Sequence, residues 1–273
     1  MLIEREIKNK FIPEIIIDHL QQNGIDFITS LPEDHFVTIN DVIEHCKNIG
    51  LRCGRDNIDF GKIIKEAVST GYDERYTETP ETDERSIDSS QFLSSFWDVL
   101  EELGMLATYK NKKVIVVGIG NGHEGKILYS DVRNLVIVDV APKSLKRAQT
   151  ILPHSEVYQT ESSKLEAFAD NSFDLYISLR TYQSTYFDIS ASLQEAKRVL
   201  KSNGAIVISI ASGYLDKNGE LAYGLFNPHR GVLEKDRPDL FLKIIQQHLT
   251  ILDFIIVGTK KMPSEIFIYA VKH

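Results

Sequence analysis

An α/β fold with a doubly wound, seven-stranded, mostly parallel sheet and a small helical N-terminal cap is predicted by three observations. From about residue 91 onward, short apolar runs alternate with amphipathic helical stretches, the rhythm of β-α-β units. The first of these runs leads into a glycine-rich turn, Val117-Gly-Ile-Gly-Asn-Gly-His-Glu-Gly125. The last two runs, Thr250–Gly258 and Ile266–Val271, are too close together for a crossover helix. They must pair as an antiparallel hairpin, so the C-terminal strand is reversed.

Each element has a local reason. Pro13 suits the first turn of a helix carrying Ile15, Ile16 and Leu20, which stops near Gly24. Thr38 or Asn40 caps a second helix through Val42, Ile43 and Cys46, stopping at Gly50. Asp56 or Asn57 caps a third through Ile63, Ile64, Ala67 and Val68, stopping at Gly71. These helices make residues 1–72 a helical cap. Residues 73–90, DERYTETPETDERSIDSS, hold almost no large apolar side chains and cannot offset their own ordering entropy by burial. They are expected to form an acidic linker or flap. A helix over about 91–103 opens the third region, 91–273, and strands are predicted at 113–118, 135–139, 156–159, 173–179 and 205–211.

Composition narrows the class. The 273 residues are 42% hydrophobic and 26% charged, a globular balance with enough apolar material for a sizeable core. The formal net charge is −8, which taken whole disfavours a clamp on nucleic acid. That charge is uneven: residues 73–90 hold seven acids against two bases, and residues 1–72 twelve against eight. The remainder is close to neutral, so nucleic acid is disfavoured by the cap and flap alone. The two cysteines, Cys46 and Cys53, fit no zinc or redox spacing, and none of the eight histidines has metal-ligand spacing to another His or Cys. No metal is expected. The charged start Met-Leu-Ile-Glu-Arg-Glu does not read as a signal peptide, and no apolar run reaches a membrane span. A cytoplasmic protein without membrane contact is expected.

Three ligand classes use a glycine-rich strand-to-helix turn. Gly120 to Lys126 matches the phosphate-loop spacing, but Ile127 stands where a magnesium-binding Ser or Thr is needed. A dinucleotide fingerprint wants a glycine at 123, which is His, although Asp139 supplies the expected acid. In an S-adenosylmethionine site, Gly118, Gly120 and Gly122 form the turn. Asp139, closing the second strand, accepts two hydrogen bonds from a ribose diol.

Four ordered motifs carry a resemblance. Val114-Ile-Val-Val-Gly-Ile-Gly-Asn-Gly122, Val138-Asp-Val-Ala-Pro-Lys-Ser-Leu-Lys-Arg-Ala148, Asp170-Asn-Ser-Phe-Asp-Leu-Tyr-Ile-Ser178 and the stretch from Glu195 through Gly204 to Ser209 resemble successive motifs of class I, Rossmann-like, S-adenosylmethionine-dependent methyltransferases of the small-molecule type 11 sort. The C-terminal hairpin resembles that family's reversed seventh strand. The resemblance covers about residues 90–273. It implies S-adenosylmethionine as cofactor and Gly118, Gly120, Gly122 and Asp139 as binding residues. Val140 and Ala141 would flank the adenine, and Glu161 and Ser162 would lie where the adenine amino group is read. One departure stands out: the family usually carries an acid two places before the first glycine, where it helps hold the methionine amine, and here that residue is Val116.

In open α/β sheets the carboxyl ends of the strands line the ligand crevice. Leu179, Arg180, Thr181 and Tyr182, leaving the fourth strand, are therefore expected beside the methionine or the acceptor. Between the fifth strand and the next helix lies a long insert, Ser212–Pro238, with Tyr214, Tyr223, Phe226, His229 and Arg230. Its length suggests a binding loop, and His229 has a side chain suited to a general base. The expected activity is methyl transfer to an O, N or C nucleophile of a small-molecule acceptor. Competing readings are a non-catalytic binding or scaffold protein on this fold, an RNA methyltransferase and a nicotinamide-dependent oxidoreductase.

Overall fold

The computed structural model describes residues 89–120, 122, 124–182, 188–211, 214–215, 221–223, 225–227, 232–234, 238–262 and 265–273. The three expected cap helices, the acidic stretch up to residue 88, and His229 and Arg230 lie outside the described residues.

Helix α1, Ser89–Glu102, turns one apolar stripe inward: Phe92, Phe96, Val99 and Leu100 are buried at helical spacing. Gly104, at φ +66, ends it in the left-handed conformation that a glycine adopts cheaply. A 3-10 turn, Leu106–Asn111, leads into β1, Lys113–Val117. Helix α2, Gly125–Tyr129, precedes β2, Asn134–Asp139. Helix α3, Pro142–Ile151, begins with proline at its first turn, where a missing N–H costs nothing. Next come β3, Glu156–Gln159, β4, Phe173–Leu179, helix α4, Ile189–Val199, and β5, Leu200–Ala211. The Asp188 side chain caps α4 by accepting from the Ala191 amide at 2.9 Å.

The insert after β5 contains two antiparallel ribbons: β6, Tyr214–Leu215, with β7, Leu221–Tyr223, and β8, Leu225–Asn227, with β9, Val232–Glu234. Helix α5, Pro238–Ile251, leads to β10, Phe254–Lys261, and β11, Glu265–Lys272. The hairpin predicted from Thr250 starts four residues later. Phe241, Leu242, Ile245 and Leu249 form a buried helical stripe that keeps the chain in α5 through Ile251.

The seven strands lie in the order β10-β11-β5-β4-β1-β2-β3. β1 pairs in parallel with β2 and β4, β2 with β3, and β4 with β5, whereas β11 is antiparallel to both β5 and β10. The predicted doubly wound sheet with a reversed C-terminal strand is therefore the observed one. Successive residues of β1 are buried on both faces, Ile115 and Val117 on one, Val114 and Val116 on the other, as expected for an interior parallel strand. One apolar layer packs α1, α2 and α3 on the Val114–Val116 face. The other packs α4 and α5 on the opposite face. Phe96 sits at the centre of the first layer, edge-on to Trp97 and Tyr109 with centroids 5.3 and 6.1 Å away.

Polar ties hold the amino ends of the strands. Asp174 accepts from the Lys113 amide and from Lys201 Nζ, both at 2.8 Å. Arg198 donates to Glu195 and Asp170 and to the carbonyls of Leu165 and Phe168, fastening α4 to the β3–β4 connection. Among the described residues, no helix is long and apolar enough to cross a membrane. Truncating Phe96 to alanine removes a wholly buried ring from a close-packed layer. Urea denaturation should show a loss of about 3–5 kcal/mol relative to wild type.

Candidate functional site

Neighbours in the sheet reverse their sequence order between β1 and β4. After β1 the chain passes to α2 on one face, and after β4 to α4 on the other. The divergence opens a crevice at the carboxyl ends of the two strands, the place where open α/β sheets take their ligands. Ser178 Oγ donates to the Val117 carbonyl at 3.0 Å and holds the two strands together just below it.

The glycine turn leaves β1 here. Gly118, Gly120 and Gly122 have φ of +76, +56 and +73. At Gly118 a second constraint applies: a Cβ would lie 2.7 Å from Thr181 Cγ2 and closer still to its Oγ1. The turn and the β4 exit loop thus touch through a glycine with no room for a side chain. A Cβ at Gly122 would meet Ile151 Cδ1 at 3.4 Å and Ile119 Cγ1 at 4.0 Å, ordinary contacts, so only the backbone argument applies there.

Asp139 closes β2 beside that turn. One carboxylate oxygen accepts from the Gly120 amide at 3.1 Å, the other from the Ala141 amide at 2.9 Å. The side chain is 7% exposed. Burial raises its pKa to about 6, although the surrounding backbone amides favour the charged form. Val140 is partly exposed, and its carbonyl accepts from Gln159 Nε2 at 3.3 Å. The Thr160 amide donates to the Asp139 carbonyl, which sets Glu161 next to the end of β2. Glu161 is partly exposed; Ser162 is buried and shares a 2.6 Å hydrogen bond with Ser192 of α4.

Leu179 and Arg180 both reach the crevice partly exposed. Arg180 has φ +58, and its amide donates to the Ser209 carbonyl at 3.0 Å. Its guanidinium lies between two carboxylates, with Nη1 3.0 Å from Glu124 Oε1 and Nε 2.6 Å from Glu265 Oε2. The Phe92 ring covers it, 4.7 Å from Cζ to centroid. Tyr182 is placed differently: it is fully buried in the α4–α5 layer, and its hydroxyl shares a 3.2 Å bond with Tyr176. Glu124, Glu265 and Phe92 were not singled out from the sequence. The one available signal was Glu265, an acid opening an otherwise apolar strand, Ile-Phe-Ile-Tyr-Ala-Val.

A glycine-lined turn and a buried strand-end acid at the switch point of an open α/β sheet define a protein that binds a nucleoside-containing cofactor. Residues 115–208, from β1 into β5, match the family model described as a methyltransferase domain. The match covers about a third of the chain, on the observed class I, Rossmann-like sheet, and supports a methyltransferase that uses S-adenosylmethionine. Among solved structures, the PH0226 protein from Pyrococcus horikoshii OT3 is similar at 18% identity, over 73% of this chain and 99% of that one, with a TM-score of 0.51, and shares the fold. A SAM-dependent methyltransferase from Aquifex aeolicus is 20% identical over 64% of this chain and 88% of that one, with a TM-score of 0.48. No curated protein matches the chain.

The residues present fit the cofactor: the turn leaves no space for side chains at Gly118, and Asp139 is a buried acceptor at the end of β2. Two outcomes follow. Gly118→Ala should lower the thermal midpoint and weaken S-adenosylhomocysteine binding more than Gly122→Ala. Both place a Cβ in the left-handed region at about 1–2 kcal/mol, but only the first also overlaps Thr181. Cofactor affinity should also depend on pH. Asp139 accepts hydrogen bonds fully when ionised, above about pH 6. As pH falls through that value the dissociation constant should rise, approaching about tenfold per pH unit, in calorimetric titrations from pH 8 to pH 5.

Proposed function

We propose that the protein transfers the methyl group of S-adenosylmethionine to an O, N or C nucleophile of a small-molecule acceptor. The observation that carries this reading is the clasp of Asp139 by the Gly120 and Ala141 amides, which joins the glycine turn to the end of β2. When bound, the cofactor supplies a methyl group already activated by its sulfonium. The protein's own task is then chiefly to position and to exclude water, and in-line positioning can supply about 7–11 kcal/mol.

In this reading Asp139 accepts from the ribose hydroxyls, Gly118, Gly120 and Gly122 give the backbone close approach, and Val140 and Leu179 pack along the nucleoside. Glu161 stands beside the adenine, and Ser162 orients that loop through its bond to Ser192. Arg180 serves the charged end of the crevice, and Tyr182 supports it from the core. Acceptor recognition is assigned to the insert over 212–238, which leaves β5 at the carboxyl end of the sheet, together with the N-terminal cap over 1–72 and the acidic flap over 73–90. His229 within the insert is proposed as the base for a hydroxyl acceptor, because imidazole titrates near neutrality.

Calorimetric titration tests the cofactor assignment. Wild type should bind S-adenosylmethionine and S-adenosylhomocysteine, and Asp139→Ala should weaken both by at least about tenfold, the worth of one charge-assisted bond. Undiminished binding by the variant would sink the reading. Methyl release from labelled cofactor onto fractionated small metabolites, compared with total RNA, separates the small-molecule acceptor from the nucleic-acid alternative.

A further inference from the structure

Asp139 and Glu265 are the buried acids among the described residues, and Asp139 has both carboxylate oxygens engaged. Glu265 does not. Its side chain is 0% exposed, with Oε2 on Arg180 Nε at 2.6 Å. Its Oε1 is equally shut off from solvent and has no hydrogen-bond partner. Burial pushes the Glu265 pKa up, and the Arg180 guanidinium and the Ser209 hydroxyl oppose that shift, yet neither completes Oε1. The other buried side-chain atoms without a partner among the described residues are neutral hydroxyls, on Tyr109, Ser144 and Ser172. An unmet charged group costs more than an unmet neutral one, so the Glu265 oxygen is the costliest of the set. Packing does not ask for it: the residues that follow, Ile-Phe-Ile-Tyr-Ala-Val, are apolar.

Its place in the fold suggests what completes it. Glu265 opens β11 opposite Ala211, the last residue of β5, and the insert over 212–238 begins with the next residue. Phe267 and Tyr269 lie in the α1–α3 layer, and Glu265 shares their face by the period of two. Phe92, in the first turn of α1, packs on Phe267 at 5.4 Å and covers the Arg180 guanidinium. The acid therefore stands where β5 meets the start of α1. Asp139 is elsewhere. It ends β2, four strand spacings from β11, or about 19 Å at the usual separation of neighbouring strands. That distance puts Glu265 outside the nucleoside site and at the end of β5, next to the segment to which acceptor recognition is assigned.

A carboxylate oxygen accepts hydrogen bonds and donates none. A carbonyl, ether or carboxylate brought to Oε1 would add a second unmet acceptor. A cationic N–H meets both the lone pair and the charge, and such charge-assisted bonds are the strong ones.

We propose that Glu265 is an acceptor-binding residue whose Oε1 takes a hydrogen bond from an amine nitrogen of the methyl acceptor, so that the acceptor is an amine-bearing small molecule. The inference rests on the methyltransferase reading and narrows its acceptor, whichever atom of that molecule is methylated. Arg180, on the other oxygen, restrains the carboxylate.

The test uses a small-metabolite extract passed over a cation exchanger at about pH 2, where carboxylates are protonated and amines remain charged. The retained pool holds the amines. Wild type should move label from S-adenosylmethionine onto the retained pool, and acetylating the amines of that pool beforehand should abolish the labelling. Glu265→Gln should need at least tenfold more of the pool for half-maximal labelling, with the rate at saturation and S-adenosylhomocysteine affinity each within about threefold of wild type. The acetylation arm needs no variant and decides the acceptor class even if Glu265→Gln folds poorly. Labelling confined to the unretained pool, labelling that survives acetylation, or no labelling by a wild type that binds S-adenosylhomocysteine overturns the amine. Wild-type half-saturation in Glu265→Gln, or equal loss of labelling and S-adenosylhomocysteine binding, overturns the role of Glu265. Wild type that does not bind S-adenosylhomocysteine overturns the methyltransferase reading and the proposal with it.

Discussion

Strands β1 and β4 lie side by side and parallel, held by the register Val114 to Leu175 through Val116 to Ile177. At their carboxyl ends the two chains separate, one toward the α1–α3 layer and the other toward α4 and α5. Two neighbouring strands can do this only if nothing bulky stands between their exits. Gly118 meets that demand, because its missing side chain leaves the space that Thr181 occupies. The Thr181 hydroxyl then donates to the Leu179 carbonyl at 3.1 Å and shapes the β4 exit. Asp139, Arg180 and the start of α2 take their places around that contact. A side chain at 118 would therefore disturb both walls of the crevice at once, the one that carries Asp139 and the one that carries Arg180.

The two buried acids of this region are handled in different ways. Asp139 is surrounded by backbone amides, which are neutral and cannot move away, and burial still raises its pKa to about 6. That leaves it ionised at neutral pH yet with little to spare, so a ligand hydroxyl that donates to it gains a strong acceptor. Glu265 is also raised by burial, and the nearby Arg180 guanidinium opposes the shift. One of its oxygens is spent on another side chain. One acid is held by neutral backbone amides and the other by a guanidinium, and their exposures are 7% and 0%.

Much of the sheet was legible because parallel interior strands leave continuous apolar runs and because Gly118, Gly120 and Gly122 follow the first of them. Asp139 was legible from its place at the end of the second. Two of the four motifs, however, also mark the opposite end of the sheet. Asp170, Asp174, Glu195 and Arg198 lie in the quoted motifs, but their hydrogen bonds bind α4, β1 and the β3–β4 connection. They report the fold rather than the chemistry. Glu124, Glu265 and Phe92 stayed hidden for the converse reason. Each is separated from Arg180 by 56 to 88 positions, and only the folded sheet joins them. The boundary between α5 and β10 was misplaced because Thr250 and Ile251 suit a strand locally, whereas the buried stripe from Phe241 to Leu249 commits them to the helix.

Helix α1 connects this charge arrangement to the rest of the chain. Near its start Phe92 covers the Arg180 guanidinium and packs on Phe267 of β11 at 5.4 Å. Near its end Glu102 accepts from the Tyr269 hydroxyl, and Asp98 pairs with Lys260 of β10. The helix is thus bound along its length to the reversed hairpin, with its first turns at the crevice. In sequence, residues 73–90 hold seven acids and two bases. Negative charge near a binding site raises the local concentration of cations and repels polyanions. A neutral or cationic acceptor is the class that such a charge would favour. If that stretch serves the acceptor, neutralising Glu78, Glu81, Asp83 and Glu84 together should raise the KM of a cationic acceptor while leaving S-adenosylhomocysteine affinity unchanged.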